Sequence, residues 1–379
     1  MRSKDKKRNW IFCVVMGVVC VLMAFLPEVA ESPSAEVPRV KAEILEVDNS
    51  ALMPLGLVYS GVQHATVRLL SGDHSGEIVS ADNYMNAALD KDKLFSPGDR
   101  ALVMVHEGET GLSATLIDHY RMDLQGLLLA LFGLLLVVFG GVTGMGALIS
   151  LFASVLAVWK LLIPLLLKGV SPIWSALFLV VLLTAMIDFL VAGFTRRAVL
   201  AMLGSLLGTL VTCILAVVFG RLLKLDGGSL PYLVPLLSQT SMTINVRELF
   251  FAMVFIANSG ALMDLSMDIA SACEEVRLHH PGITRRELLK SGFSVGRSVI
   301  GTMTTTLMLA YSGSYLSMMM YFAGQGTPII DILNYKYIAS EILTTLVGSF
   351  GLVTVAPFTA LVSSLLLAPR QKRALPGEE

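Results

Sequence analysis

Asn258-Ser-Gly-Ala-Leu-Met-Asp264-Leu-Ser-Met-Asp268-Ile-Ala-Ser271 decides how the rest of the chain is read. The stretch lies in an apolar run that begins near Leu249, yet it carries two carboxylates four residues apart. At about 100° of rotation per residue, Gly260, Asp264, Asp268, Ser271 and Glu275 fall on one helical stripe. With a rise of ~1.5 Å per residue, a spanning helix puts Asp264 near mid-depth and Asp268 ~6 Å nearer one end. An ionised Asp at that depth costs roughly 2.5–3.5 kcal/mol on insertion scales, which marks the pair as a functional-site candidate.

The composition supports a bilayer setting. Of 379 residues, 55% are hydrophobic and 15% charged, with mean hydropathy +0.73. Soluble domains carry about 25% charged residues, so the chain reads as an integral membrane protein whose first partner is the lipid bilayer. The net charge of −1 says little, because opposite charges collect in different segments. No basic, aromatic-interleaved patch points to nucleic acid, and no nucleic-acid partner is expected. Cys13, Cys20, Cys213 and Cys273 all lie in or beside apolar runs. Their spacing fits neither a disulfide scaffold nor a zinc site, and they read as packing residues.

Hydropathy gives the organisation: an α-helical polytopic membrane protein of about eight spans, with a small extracytoplasmic β-barrel-like domain after the first helix. Residues 1–26 read as a cytoplasmic N-terminus and an uncleaved signal-anchor helix. Arg2, Lys4, Lys6, Lys7 and Arg8 precede the apolar run, and no clean A-x-A site follows, since Ala30 has Glu28 at the −3 position. Residues 27–122 contain short alternating segments at 40–47, 65–70, 76–79 and 100–105, separated by Gly, Pro and Asp turns. They suggest a barrel of the OB or SH3-like kind, with a structural or partner-docking role.

From Leu124 onward the chain reads as spans at 124–141, 145–167, 172–192, 197–220, 247–273, 297–322 and 338–366. Helices two to five, within 123–221, are rich in Gly and Leu. The loop 222–246 and the segment from Gly324 to Leu333 are too polar to span, but apolar enough to lie at the interface or re-enter. Helices six to eight, within 247–366, are more polar and flank a basic loop, 274–296, and the tail is 367–379. Arg196-Arg197, the Arg277–Arg297 group and Arg370, Lys372 and Arg373 all fall on one side of this topology. The positive-inside rule makes that side cytoplasmic, with both termini inside and residues 27–122 outside. Glycines 126, 133, 140, 141, 144 and 146, and later Gly204 and Gly208, suit close helix contact. Lys160 and Asp188 are unusual at membrane depth and suggest pairing or snorkelling.

The last three spans each carry a polar face. Thr302 and Thr305 share one with Ser298 and Ser312, and Glu341 shares another with Thr344, Thr345 and Gly348. Gly260 reads as a close-packing residue within its stripe. Two carboxylates about 6 Å apart in a low dielectric do not both hold a charge, so Asp264 and Asp268 are suited to exchange a proton or cation. Asp264, Asp268, Ser271, Thr302, Thr305 and Glu341 are therefore the transport or proton-coupling candidates. Arg297 and Arg285 are the candidate charge partners at the cytoplasmic edge. The structural alternative is one neutral Asp with the other paired to an arginine. In the basic loop, Thr284 with Glu287 forms a helix-start signature, and His279-His280 point ~100° apart, which disfavours a metal site.

No Walker motif, Gly-rich phosphate loop, nucleophile elbow or H-E-x-x-H occurs, so no enzyme activity, cofactor or metal is expected. Two functions stay open. One is a secondary, proton- or ion-coupled transporter or channel for a small ion or solute. The other is a non-transporting scaffold or sensor whose outer β domain docks a partner. The oligomeric state, homo or hetero, is also open.

In order and wording, these features resemble the YibE/F family of bacterial multi-pass membrane proteins. The resemblance rests on Val67-Arg-Leu-Leu-Ser-Gly-Asp-His-Ser-Gly-Glu-Ile-Val79, Pro97-Gly-Asp-Arg-Ala-Leu-Val103 and the 258–271 stretch. It extends to Gly301-Thr-Met-Thr-Thr-Thr-Leu-Met-Leu-Ala-Tyr-Ser-Gly313 and Glu341-Ile-Leu-Thr-Thr-Leu-Val-Gly348. It implies a bacterial plasma-membrane protein and supplies no activity. A more distant similarity links the polar span, basic inner helix and Thr-rich next span to the membrane halves of protein-export and RND-type permeases, which use embedded polar residues in proton-driven work.

Overall fold

A computed structural model describes residues 3–26, 37–108, 111–239 and 244–368. The cleavage-site residues Glu28 and Ala30, Arg2, loop residues 240–243 and the basic tail with Arg370, Lys372 and Arg373 lie outside the described residues. The chain divides into two compact units, Glu28–Leu135 and Met1–Pro27 with Leu136–Glu379.

The first unit is a small β-barrel. Its strands are β1 (Arg39–Asp48), β2 (Leu52–Leu55), β3 (Val58–Leu69), β4 (Ile78–Asn86), β5 (Arg100–Gly108) and β6 (Gly111–His119). The order β1-β5-β6-β4-β3 closes through β1–β3 pairing, and β4 and β6 run parallel. This is a Greek-key closure of the OB kind. Strict alternation, as in the buried positions of β1, sends Val40, Ala42 and Ile44 inward onto Val67, Leu69, Val103 and Phe95. A buried amide pair pins the 87–99 connection to the barrel. Gln63 Nε2 donates to the Phe95 carbonyl at 2.9 Å, and Asn83 Nδ2 donates to the Lys93 carbonyl at 2.7 Å and to Gln63 Oε1 at 3.1 Å. The β2–β3 hairpin and β6 are additional to the four expected segments. Pro54, Gly56 and Gly61 break the hairpin's apparent alternation, and Gly61 adopts φ +121 against the Ala51 carbonyl.

The helices are α1 (Ser3–Ala24), α2 (Met122–Ala157), α3 (Ile163–Leu167), α4 (Pro172–Ala192), α5 (Arg196–Leu222) and α6 (Leu233–Gln239). They continue with α7 (Val246–His279), α8 (Arg285–Ser314), α9 (Leu316–Gly324), α10 (Ile329–Asn334) and α11 (Lys336–Leu367). Lys41 Nζ and Arg100 Nη1 reach Asp123, in the first turn of α2, tying that turn to the barrel within the first unit. A π-helical turn, Val158–Leu162, joins α2 to α3 just before Pro164, which lacks a backbone donor.

Among the described residues, five helical runs are long and apolar enough to cross a membrane: Met122–Leu167, Pro172–Ala192, Arg196–Leu222, Val246–His279 and Lys336–Leu367. The expectation of eight separate long spans is not met by this measure, for three reasons. The first apolar helix is short, Arg8–Ala24. The expected second and third spans form one helical run, broken at Gly141 (φ 55, ψ −128). A Cβ on Gly144 would overlap the Leu136 carbonyl. Eight residues of straight helix rise ~12 Å, so the chain turns sharply there. The expected span 297–322 is instead the polar α8, which starts earlier and ends at Tyr315 (φ −118) before α9.

Local chemistry sets the helix ends. Thr284 and Glu287 form a full capping box on α8, and Asn245 and Thr195 cap α7 and α5 through side-chain oxygens. Arg277 and Arg285 donate to the carbonyls of Leu367 and Leu365, in the last turn of α11, where helix carbonyls lack partners.

Candidate functional site

α7 packs against α4, α5, α8 and α11, and its two sides differ in kind. On the closed side, neighbouring helices present glycines where α7 side chains press in. Gly220 of α5 faces Phe251, Gly348 of α11 faces Asn258, and Gly351 of α11 faces Leu262. Ser266 Oγ donates to the Ala201 carbonyl at 2.6 Å and lies 2.8 Å from Thr359 Oγ1, and Gly204 leaves room for both hydroxyls. Such small-residue contacts let helix backbones approach closely where lipid supplies no hydrophobic drive.

The opposite side stays open. Met253, Ala257, Gly260, Asp264 and Asp268 are all exposed, at helical spacing, and Ser271 continues the stripe half-buried. A Cβ on Gly260 meets nothing within 4 Å, so the expected close helix contact at this glycine does not form. Among the described residues, no hydrogen bond or ion pair reaches Asp264 or Asp268. A third carboxylate stands beside them. Asp188 of α4 is 2% exposed, its Oδ2 has no hydrogen-bond partner among the described residues, and the charge of Asp264 acts on it. Lys160 donates to the Leu26 carbonyl at 2.9 Å.

α8 forms the other flank. At about 100° per residue, Arg297, Gly301, Thr304, Met308, Tyr311 and Tyr315 share one stripe. Tyr311 identifies its direction, because its hydroxyl donates to Asn258 Oδ1 at 3.3 Å. The register follows from two close contacts: a Cβ on Gly292 would lie 3.1 Å from Cys273 Sγ, and one on Gly296 3.4 Å from Ile269 Cδ1. Arg297 is therefore level with Asp268, and Gly301, with nothing within 4 Å of its Cβ position, lies one turn nearer the C-terminal end of α8. Arg297 is exposed and makes no ion pair with either Asp among the described residues. Arg285 is committed to the end of α11 and does not reach Asp268.

The expected hydroxyls fall elsewhere. Thr302 and Thr305 are exposed, donate to their own helix at Val299 and Gly301, and lie off the Tyr311 stripe. Thr304 is the hydroxyl on the α7 flank, and its Oγ1 is buried without a partner among the described residues. Glu341 opens a separate station. It lines a cavity of about 400 Å³ with Met253 and Ala257 of the open stripe and Tyr311, Tyr315 and Tyr337. Asn258 Nδ2 approaches the Thr344 carbonyl at 3.4 Å, which sets the levels of α7 and α11. From that register Glu341 lies roughly 13 Å along the axis from Asp264, at ~1.5 Å per residue. Two ties hold the cavity's rim: the Ser229–Ser340 hydroxyl pair at 2.9 Å and the Lys336–Asp226 ion pair at 3.1 Å.

The structure thus sets Asp188 within electrostatic range of Asp264, places Arg297 level with Asp268, and sets Glu341 at the cavity where the α7 stripe begins, beside Met253 and Ala257. It leaves Thr302, Thr305 and Arg285 apart. Thr304, Tyr311 and Tyr315 lie beyond the expected site residues, although their successive spacings of seven, seven and four from Arg297 carry the signal. Asp188 has no such signal, because its neighbour lies in another helix.

A search of curated proteins and of solved structures finds no match to this chain. A family model described as YibE/F-like protein matches residues 128–369, which includes every helix from α3 to α11. With nearly two thirds of its length matched, the chain belongs to the YibE/F-like family.

Proposed function

We propose that the protein is a secondary carrier or channel, proton- or ion-coupled, that moves a small ion or solute along the open side of α7 between α4 and α8. One observation carries the reading: Asp264 and Asp268 stand exposed and, among the described residues, unbonded, on a stripe that runs past Gly260 into the Glu341 cavity. Carboxylates at membrane depth are costly, and a structural role normally gives them a partner. Here the groups that would solvate a passing cation or proton line an open groove. The chemistry needs no enzyme activity and no cofactor.

The topology that serves this role has eight spans. The short α1 supplies one, the two sides of the Gly141 break supply two, and α4, α5, α7, α8 and α11 supply five. Arg8, Arg196 and Arg277 surround a cavity of about 700 Å³ at the C-terminal end of α7. That basic end is cytoplasmic by the positive-inside rule, which puts the β-barrel outside, both termini inside, and the protein in a bacterial plasma membrane.

The test is Asp264→Asn in proteoliposomes. The variant is expected to insert and elute as the unmutated protein does, while proton- or cation-driven flux falls at least about tenfold, as removal of an essential proton carrier requires. Unchanged flux, or no flux of any labelled ion by the unmutated protein, overturns the carrier reading. The scaffold or sensor reading has its own supporting observation. The β2–β3 hairpin exposes Met53, Leu55 and Leu57 (70, 56 and 89%), an apolar tip suited to docking a partner.

A further inference from the structure

The cavity at the outer end of the α7 stripe has a composition that the proton-exchange chemistry of Asp264 does not require. Four rings border it: Phe250 from α7, Tyr311 and Tyr315 from the end of α8, and Tyr337 from the start of α11. Tyr337 is held by a stacked Tyr335, with ring centroids 6.0 Å apart and planes at 20°. Tyr315 is the C-cap of α8 (φ −118), four residues after Tyr311, and the helical repeat sets both tyrosines against the same space. Among the described residues that line it, Glu341 is the only charged side chain, half-buried, and its charge acts on both Tyr311 and Tyr315. None of those described residues is lysine or arginine. The nearby Lys336 is paired with Asp226 at 3.1 Å.

We propose that this cavity is a binding site for a small organic monocation, an alkylammonium or quaternary ammonium compound. Ring faces carry negative electrostatic potential and attract a cation whose alkyl groups prevent strong hydration. A single carboxylate supplies one counter-charge, which matches one positive charge and disfavours anions. Inorganic cations such as Ca²⁺ ask for six or more oxygen ligands, usually with several carboxylates, and one carboxylate with neutral hydroxyls on a largely aromatic and apolar wall does not supply that charge. The volume of about 400 Å³ lies within the usual range for small-ligand sites. The hydroxyls of Ser229, Ser340 and Thr344 lie on the same wall but are engaged: Ser229 with Ser340, Ser340 with the Lys336 carbonyl, and Thr344 with the Ser340 carbonyl. Recognition therefore falls to the rings and Glu341.

The inference deepens the carrier reading by naming the class of cargo, and equilibrium binding tests it without flux. The full-length protein in nanodiscs is titrated calorimetrically with tetraethylammonium, and in parallel with a neutral, similarly branched alcohol. Saturable tetraethylammonium binding is expected, with no competition from the alcohol. Glu341→Gln is expected to weaken it at least about tenfold, as loss of the Coulomb attraction to the charged residue lining a partly desolvated site implies. Tyr315→Phe keeps the ring and should bind within about twofold, whereas Tyr315→Leu should weaken binding several-fold or more. Asp264→Asn should leave binding intact even where it abolishes flux, which separates failure of this site from failure of the carrier. No saturable binding by the unmutated protein, equal binding of the alcohol, or unchanged affinity in Glu341→Gln overturns the proposal.

Discussion

The two sides of α7 use the same kinds of residue for opposite ends. On the closed side, glycine sits opposite a bulky or polar group: Gly348 against Asn258, Gly204 against Ser266 and Thr359. On the open side, Gly260 faces nothing within 4 Å, and the carboxylates one and two turns beyond it have no bonded partner among the described residues. The hydroxyls divide in the same way. Ser266 binds across to α5 and α11, while Thr302 and Thr305 of α8 bond only to their own helix. The difference teaches that small and polar residues in a spanning helix carry no fixed meaning. Their role is set by whether another helix is close enough to use them.

Three substitutions probe that division. The largest effect belongs to Gly204→Leu, which drives a side chain into the space filled by Thr359 and Ser266. Overpacking of this size costs about 3 kcal/mol or more, and the variant should lose its monodisperse peak in detergent size-exclusion chromatography. Ser266→Ala comes next. It removes the donor to the Ala201 carbonyl and the contact with Thr359, and should lower stability by roughly 0.6–1.5 kcal/mol in a denaturant titration in bicelles. Gly260→Ala should have the smallest effect and the opposite sign. Its Cβ enters empty space, and alanine favours helix by up to about 1 kcal/mol, so the melting temperature should hold or rise. A destabilised Gly260→Ala would mean that the open side is covered, and the contrast between the two sides would collapse.

The β-barrel offers a second contrast with the helical unit. In β1, β3, β4 and β5 the alternation of apolar residues directly identifies the inward side chains, because successive strand residues face opposite ways and only one face of a closed barrel is dry. In a lipid-facing helix that reading fails. The apolar residues surround the helix whether they touch protein or lipid, so hydropathy finds the segment without finding its packed side. That is why four spans, 172–192, 197–220, 247–273 and 338–366, could be read within a few residues of α4, α5, α7 and α11. It is also why the role of Gly260 could not be read correctly.

Much of the molecule is written locally. The capping box at Thr284 and Glu287, the Asn245 and Thr195 caps, and the glycine at 141 that breaks a long apolar run all follow from interactions within a few residues. So does the stripe from Gly260 to Glu275, since the helical repeat alone fixes angles about the helix's own axis. What faces each stripe is a different matter. That Asp188 stands beside Asp264, that Arg285 reaches the end of α11, that Thr304 and not Thr302 lies on the α7 flank, and that four rings meet around Glu341 are decided by contacts between segments far apart in sequence. The helical repeat along the chain is enough to say which residues share a side of each helix. Which sides meet depends on the packing of whole helices, and that leaves no periodic trace in any one of them.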